Sequence, residues 1–106
     1  MPSFPKEKNY RNKKLLDLAQ EVPYCMYCGE PNHGQVVLCH SNSTQHGKGM
    51  GIKAHDIPCY LCNLCHDLAD GRIGKHLTLP ERNAVLYEGV YNSVLWLLRE
   101  GKLVLE

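Results

Sequence analysis

Two Cys-x-x-Cys pairs, Cys25 with Cys28 and Cys62 with Cys65, carry the clearest chemistry in this chain. Four thiolates in two pairs suit one tetrahedral zinc and leave no open position, as a structural site requires. Cys59-x-x-Cys62 has the same spacing, so spacing alone leaves Cys59 and Cys65 as rivals for the last place. Cys39 and the unused cysteine read as small buried residues. The histidines nearby are surplus to such a zinc. His40 ends an apolar run and precedes Ser41-Asn42, and a histidine exchanges a proton near neutral pH, so it suits a general base. His66 follows Cys65 directly, where a metal-bound thiolate would fix its backbone. It is a rigid ligand for a second metal, or a substitute for one cysteine on the first. Asp56 and Asp70 offer the carboxylate oxygens that magnesium or manganese takes. Asp70 lies four residues after His66, on the same face of a helix, and Asp56 lies beside His55. His46-Gly47-Lys48-Gly49-Met50-Gly51, with Lys53 just beyond, can bring backbone N–H groups and ammonium groups onto a phosphate.

The chain that must hold these residues is short. Its 106 residues allow one domain with a modest core, a size at which a structural metal often supplements burial. Six cysteines would suit a disulfide framework in a secreted protein. The first residues build no hydrophobic signal region, and no apolar run approaches the roughly 20 residues that span a bilayer. Metal ligation and a cytoplasmic location are therefore expected, with no membrane partner. No βαβ pattern surrounds the cysteine pairs, which argues against a thiol redox protein. The net charge of +1 says little about a polyanionic partner, but Lys6, Lys8, Arg11, Lys13 and Lys14 crowd the start against Glu7. Such an arm neutralises phosphates or is simply a solvated tail, and charge alone does not choose.

The pattern predicts a short helix over residues 10–20, stopped by Val22-Pro23. Residues 35–40 read as a strand ending on His40, and residues 41–51 as a long polar loop of the functional kind. Residues 56–61 read as a second strand, short or at an edge because of Pro58. A helix is expected over residues 65–70, running to Gly71. Thr78-Leu79-Pro80-Glu81 is a capping box that opens a last helix, closed by Gly101. Its apolar stripe is Leu86, Val90, Val94 and Leu97, widened by Tyr87, Tyr91 and Leu98, and it forms a core face or a dimer face.

The order of these motifs resembles the HNH endonuclease superfamily with its ββα-metal fold, most closely a small phage and prophage-type group. It is also similar to the recombination-enhancement nucleases of phages. The resemblance covers roughly residues 10–75 and rests on four stretches. These are Lys14-Leu15-Leu16-x-Leu18-Ala19, then His40-Ser41-Asn42, then residues 46–56, and finally Cys62-x-x-Cys65-His66-Asp67. It implies an α+β fold, a zinc-stapled, treble-clef-like ββα-metal core with an N-terminal helix and a long C-terminal helix. A single nuclease domain would fill residues 1–106, with a basic arm over 1–9, the core over 10–75 and the helix and tail over 76–106. By the same resemblance Cys25, Cys28, Cys62 and Cys65 hold a structural Zn2+, His40 is the general base, and His66 binds a catalytic Mg2+ or Mn2+. Many members carry a metal ligand just before the base, where this chain has Cys39. Asp56 is the first candidate for the missing ligand, with His55 and Asp70 behind it. Lys48, Lys53, His46 and His55 would meet the substrate phosphate.

The activity so implied is metal-dependent hydrolysis of DNA phosphodiesters in a bacterial host, from a phage or prophage gene. A recombination or replication protein is a candidate partner, and the protein a monomer or homodimer. The competing reading is a non-catalytic zinc module that binds nucleic acid or a protein.

Overall fold

The computed structural model describes residues 8–43 and 46–103. Helix α1, Lys13–Asp17, is capped by Asn12, whose side-chain oxygen accepts the N–H groups of Lys14 and Leu15, and it tightens into a 3₁₀ turn over Leu18–Gln20. It starts later than the pattern predicts because the backbone N–H of Asn12 is held by the Asp56 carboxylate and the Tyr10 carbonyl accepts from Asp56 N–H. Those bonds keep residues 10–12 extended. The first seven residues of the basic arm lie outside the described residues.

Strand β1, Val36–Leu38, pairs antiparallel with β2, Tyr60–Cys62, in the register Val36 with Cys62, Val37 with Leu61 and Leu38 with Tyr60. Cys39 N–H adds a further bond of 2.8 Å to the Cys59 carbonyl. The second strand is displaced toward Cys62 relative to residues 56–61, leaving Ile57 and Pro58 outside it. Helix α2, Asn63–Asp70, follows β2 without a linker and ends at Gly71, whose φ of 83° suits glycine best. Helix α3, Leu79–Arg99, opens on the Thr78–Glu81 capping box with Pro80 in its first turn.

The buried line of α3 is Val85, Gly89, Ser93 and Leu97, one residue away from the centre of the expected stripe. The cause is the closeness of β2. A Cβ on Gly89 would sit 2.8 Å from Leu61 Cδ2 and 2.9 Å from Cys59 Sγ. Ser93 Oγ accepts the Tyr60 N–H at 3.0 Å, so the helix needs small side chains where it crosses the strand. Tyr60, fully buried, is the residue on which the layers meet. Its hydroxyl donates to the Leu15 carbonyl at 2.7 Å, and its carbonyl accepts from Met26 N–H at 2.9 Å. Its ring meets Trp96 edge-on with centroids 6.4 Å apart. Burial, reinforced by Cys59 and Glu21, pushes its phenol up to about 12, so it remains a donor at physiological pH. The order helix, two-stranded antiparallel sheet, helix, helix is compatible with a ββα-metal-like core. No helix among the described residues is long and apolar enough to cross a membrane.

Candidate metal centre and adjoining groove

Cys25, Cys28, Cys62 and Cys65 converge with their Sγ atoms all within 4.8 Å of one another. The first pair sits on a tight turn between Tyr24 and Pro31, which form an isolated bridge. Gly29, at φ 79°, turns the chain there, and its N–H returns to the Cys25 carbonyl at 3.0 Å. The second pair comes from the cap residue and first turn of α2. Cys28 and Cys62 Sγ lie 3.8 Å apart. A tetrahedral zinc with Zn–S bonds of about 2.3 Å has sulfur–sulfur edges of about 3.8 Å, so the four residues fit that ion. Burial and the adjacent sulfurs push the Cys65 thiol up, and burial raises that of Cys28. Burial also opposes the charge on Cys25, but hydrogen bonds from the Cys28, Cys62 and Tyr27 backbone outweigh it and bring that thiol down to about 7. Four thiols this close ionise together only when a cation shares their charge.

The rivalry between Cys59 and Cys65 resolves to Cys65. Cys59 lies outside the cluster and beside Cys39, across the end of the strand pair, and both are buried. The Cys59 thiol donates to the Leu86 carbonyl at 3.5 Å. Hydrogen bonding to Cys59, with burial, pushes the Cys39 thiol well up, so Cys39 behaves as a neutral core residue.

Beside this centre an open groove of about 720 Å³ runs along β1 and α2, and His40, Lys48, Lys53, His66, Asp70 and Arg72 are among its lining residues. His40 stands two residues beyond β1, and its Nε2 lies 2.8 Å from Asp56 Oδ1. Asp56 is nearly buried, and its other oxygen accepts the Asn12 N–H at 2.8 Å. Arg11 approaches Oδ1 at 3.5 Å. Burial opposes the charge of Asp56, but the Asn12 N–H, His40 and Arg11 hold the carboxyl below its ordinary range. Asp56 is thus engaged behind His40 and does not line the groove.

His66, on α2, faces Asp70 one turn on, with Nε2 3.3 Å from Oδ2, and its Nδ1 lies 3.8 Å from Asp67 Oδ1. Asn42 donates to Asp70 Oδ1 at 3.1 Å, and Arg72 reaches Asp67 at 3.4 Å and Asp70 at 3.7 Å. One imidazole and one carboxylate suit a divalent ion that keeps several waters, as Mg2+ does. Among the described residues, however, the four cysteines are the one group of three or more side chains close enough to form a metal site.

The loop between His40 and β2 is strapped from the N-terminal side. Asn9 donates to the Gly47 and Lys53 carbonyls at 2.8 and 3.0 Å. Arg11 donates to the Ala54 and Lys53 carbonyls, each at 2.6 Å. His55 Nδ1 accepts the Tyr10 N–H at 2.8 Å, and His46 Nδ1 lies 2.6 Å from Ser41 Oγ. His46 and His55, expected at the phosphate, brace the loop and are not among the groove's lining residues. His40, His66, Lys48 and Lys53 are brought to one groove. Asn9, Arg11, Asn42 and Arg72 join the site without having been singled out for it. Arg11 was visible only as one charge of the arm, and its carbonyl partners, more than forty residues away, leave no local signal. Comparison of the chain with protein-family models, with curated proteins and with solved structures gave no match in any of the three.

Proposed function

We propose that the protein is a zinc-binding module that engages nucleic acid, and that its groove hydrolyses DNA phosphodiesters. The four-cysteine cluster supports metal binding, and the engagement of nucleic acid rests on Lys48 and Lys53 in the groove. The cluster favours a non-catalytic module that binds nucleic acid or a protein over the nuclease, because no other metal-ligand group is assembled among the described residues. The catalytic part rests on one observation, the 2.8 Å contact of His40 Nε2 with the nearly buried Asp56 at the wall of a groove that also holds His66.

With Nε2–H donated to Asp56, the lone pair of His40 Nδ1 is available to take a proton from water. Asp56 fixes the ring and balances the imidazolium that results, much as a carboxylate does behind any histidine base. In this reading Asp56 belongs with the base, and the ligand role expected of it passes to Asp70 beside His66. His66 and Asp70 would hold a divalent ion, which would neutralise charge at the scissile phosphate. Lys48 and Lys53 hold the phosphates, a contact that positions the strand without reading its sequence.

Plasmid nicking with added Mg2+ or Mn2+ tests this, comparing wild type with His40→Ala after zinc analysis of both. Nicking by the wild type, abolished in a zinc-replete His40→Ala, is the expected outcome. Equal nicking by both removes His40 as the base. Binding of DNA without nicking by either establishes the non-catalytic module.

A further inference from the structure

The groove's two lysines flank a feature that phosphate binding does not use. Gly49 and Ile52 close a two-residue turn with reciprocal backbone bonds, each 3.0 Å. Gly51, at φ 69°, makes the turn possible. Its tip is Met50, whose side chain is 100% exposed, and Ile52 beside it is 54% exposed. A single exposed apolar residue is unremarkable. Here, however, the residue is raised on a hydrogen-bonded turn whose base is pinned. His55 N–H bonds the His46 carbonyl at 3.0 Å, and Asn9 and Arg11 hold the carbonyls of Gly47 and Lys53. Lys48 and Lys53, on either side, line the groove with His40 and His66. Two residues of chain span at most about 7 Å, so the backbone of Met50 stays close to that of Lys48, whose ammonium donates to the Gly49 carbonyl at 3.2 Å within the same turn.

We infer that Met50, with Ile52 exposed on the same turn, is a wedge that inserts between stacked base pairs of a DNA duplex whose backbone occupies the groove. An unbranched apolar side chain enters a base step without needing a hydrogen-bond partner, and the unstacking it causes bends the duplex around the protein. The lysines supply the attraction that offsets the cost of unstacking. A rigid turn keeps that cost low, because little loop freedom remains to be lost on binding. The inference deepens the nucleic-acid reading and rests on it, but it is independent of whether the groove cuts.

The test uses short duplexes carrying 2-aminopurine at successive steps, whose fluorescence rises when the base unstacks. The protein carries His40→Ala, so that the DNA stays intact, with Met50 either kept or changed to Ala or Leu. Met50 is wholly exposed, so neither change should disturb folding, and zinc content confirms it. The expected result is a fluorescence rise with Met50, reduced at least about fivefold by Met50→Ala and restored by Met50→Leu, while affinity changes by less than about threefold. No rise in the Met50 protein, a rise that survives Met50→Ala, or no binding of duplex at all would each overturn the wedge. Plasmid nicking is scored separately on His40-containing protein. Nicking without unstacking removes the wedge and leaves the nuclease, whereas unstacking without nicking keeps the wedge and removes catalysis.

Discussion

At His40 one hydrogen bond decides what the ring is able to do. In the proposed reading Asp56 accepts from Nε2–H and leaves Nδ1 as the basic nitrogen, while the Asn12 N–H and Arg11 help hold the Asp56 carboxyl low. Asp56→Asn keeps the shape and removes the charge, so turnover in the nicking assay should fall about a hundredfold with unchanged zinc content and little change in KM. The same substitution should cost about 2 kcal/mol of stability near neutral pH, the worth of hydrogen bonds to a buried charge. The sign of its pH dependence follows from the depressed carboxyl. The folded pKa lies below the unfolded value of about 3.9. The contribution is therefore complete above that value and is lost as pH falls through the folded one. Denaturant titrations of both proteins should show the gap present at about pH 5 and closing only in stronger acid. A gap already closing near neutrality would sink the assignment of this stability to the Asp56 charge.

At the scale of elements, the closeness of α3 to β2 governs what the helix tolerates. Gly89→Ala gains about 1 kcal/mol of helix propensity. Against this, its methyl would press on Leu61 and Cys59, both buried and without room to move, and such overpacking costs about 1–3 kcal/mol. The net expectation is a lower midpoint in urea. A higher midpoint would mean that helix and strand can part at little cost. This contact also shows where sequence stops being legible. The Thr78–Glu81 box, the stop at Gly71 and the Cys25–Cys28 pair were readable because each is decided within four residues, whereas the equal spacing of Cys59 and Cys65 from Cys62 left the second pair open. The buried line of α3 was not, because Gly89 and Ser93 are chosen by a strand lying across them, and apolar periodicity favours Leu86 and Val90 instead. Likewise His40 and Asp56 were each picked out, but as base and metal ligand. A separation of sixteen positions hides the bond between them, and nothing in local pattern reports it.

At the scale of the molecule, the cysteine cluster joins the turn after α1 to the start of α2, and the small core is built around that junction. With zinc on the cluster, as proposed, metal affinity and folding would be one equilibrium. Removing zinc with a strong chelator should abolish the near-ultraviolet circular dichroism of Tyr60 and Trp96, and added zinc should restore it. Cys25→Ser should show the same loss without chelator. Full retention of the signal in metal-free protein would mean that the core stands without the ion. The strap of residues 9–12 has a different consequence. It pins the loop at Gly47 and at Lys53–Asp56, so the turn between them is a closed segment whose ends are fixed independently of its length. The chain entropy of closing such a segment grows only logarithmically, about 0.6 kcal/mol for each doubling. The stretch around Met50 is therefore a cassette. Longer or differently tipped insertions can be exchanged there while the frame that holds His40, Asp56 and the four cysteines stays as it is.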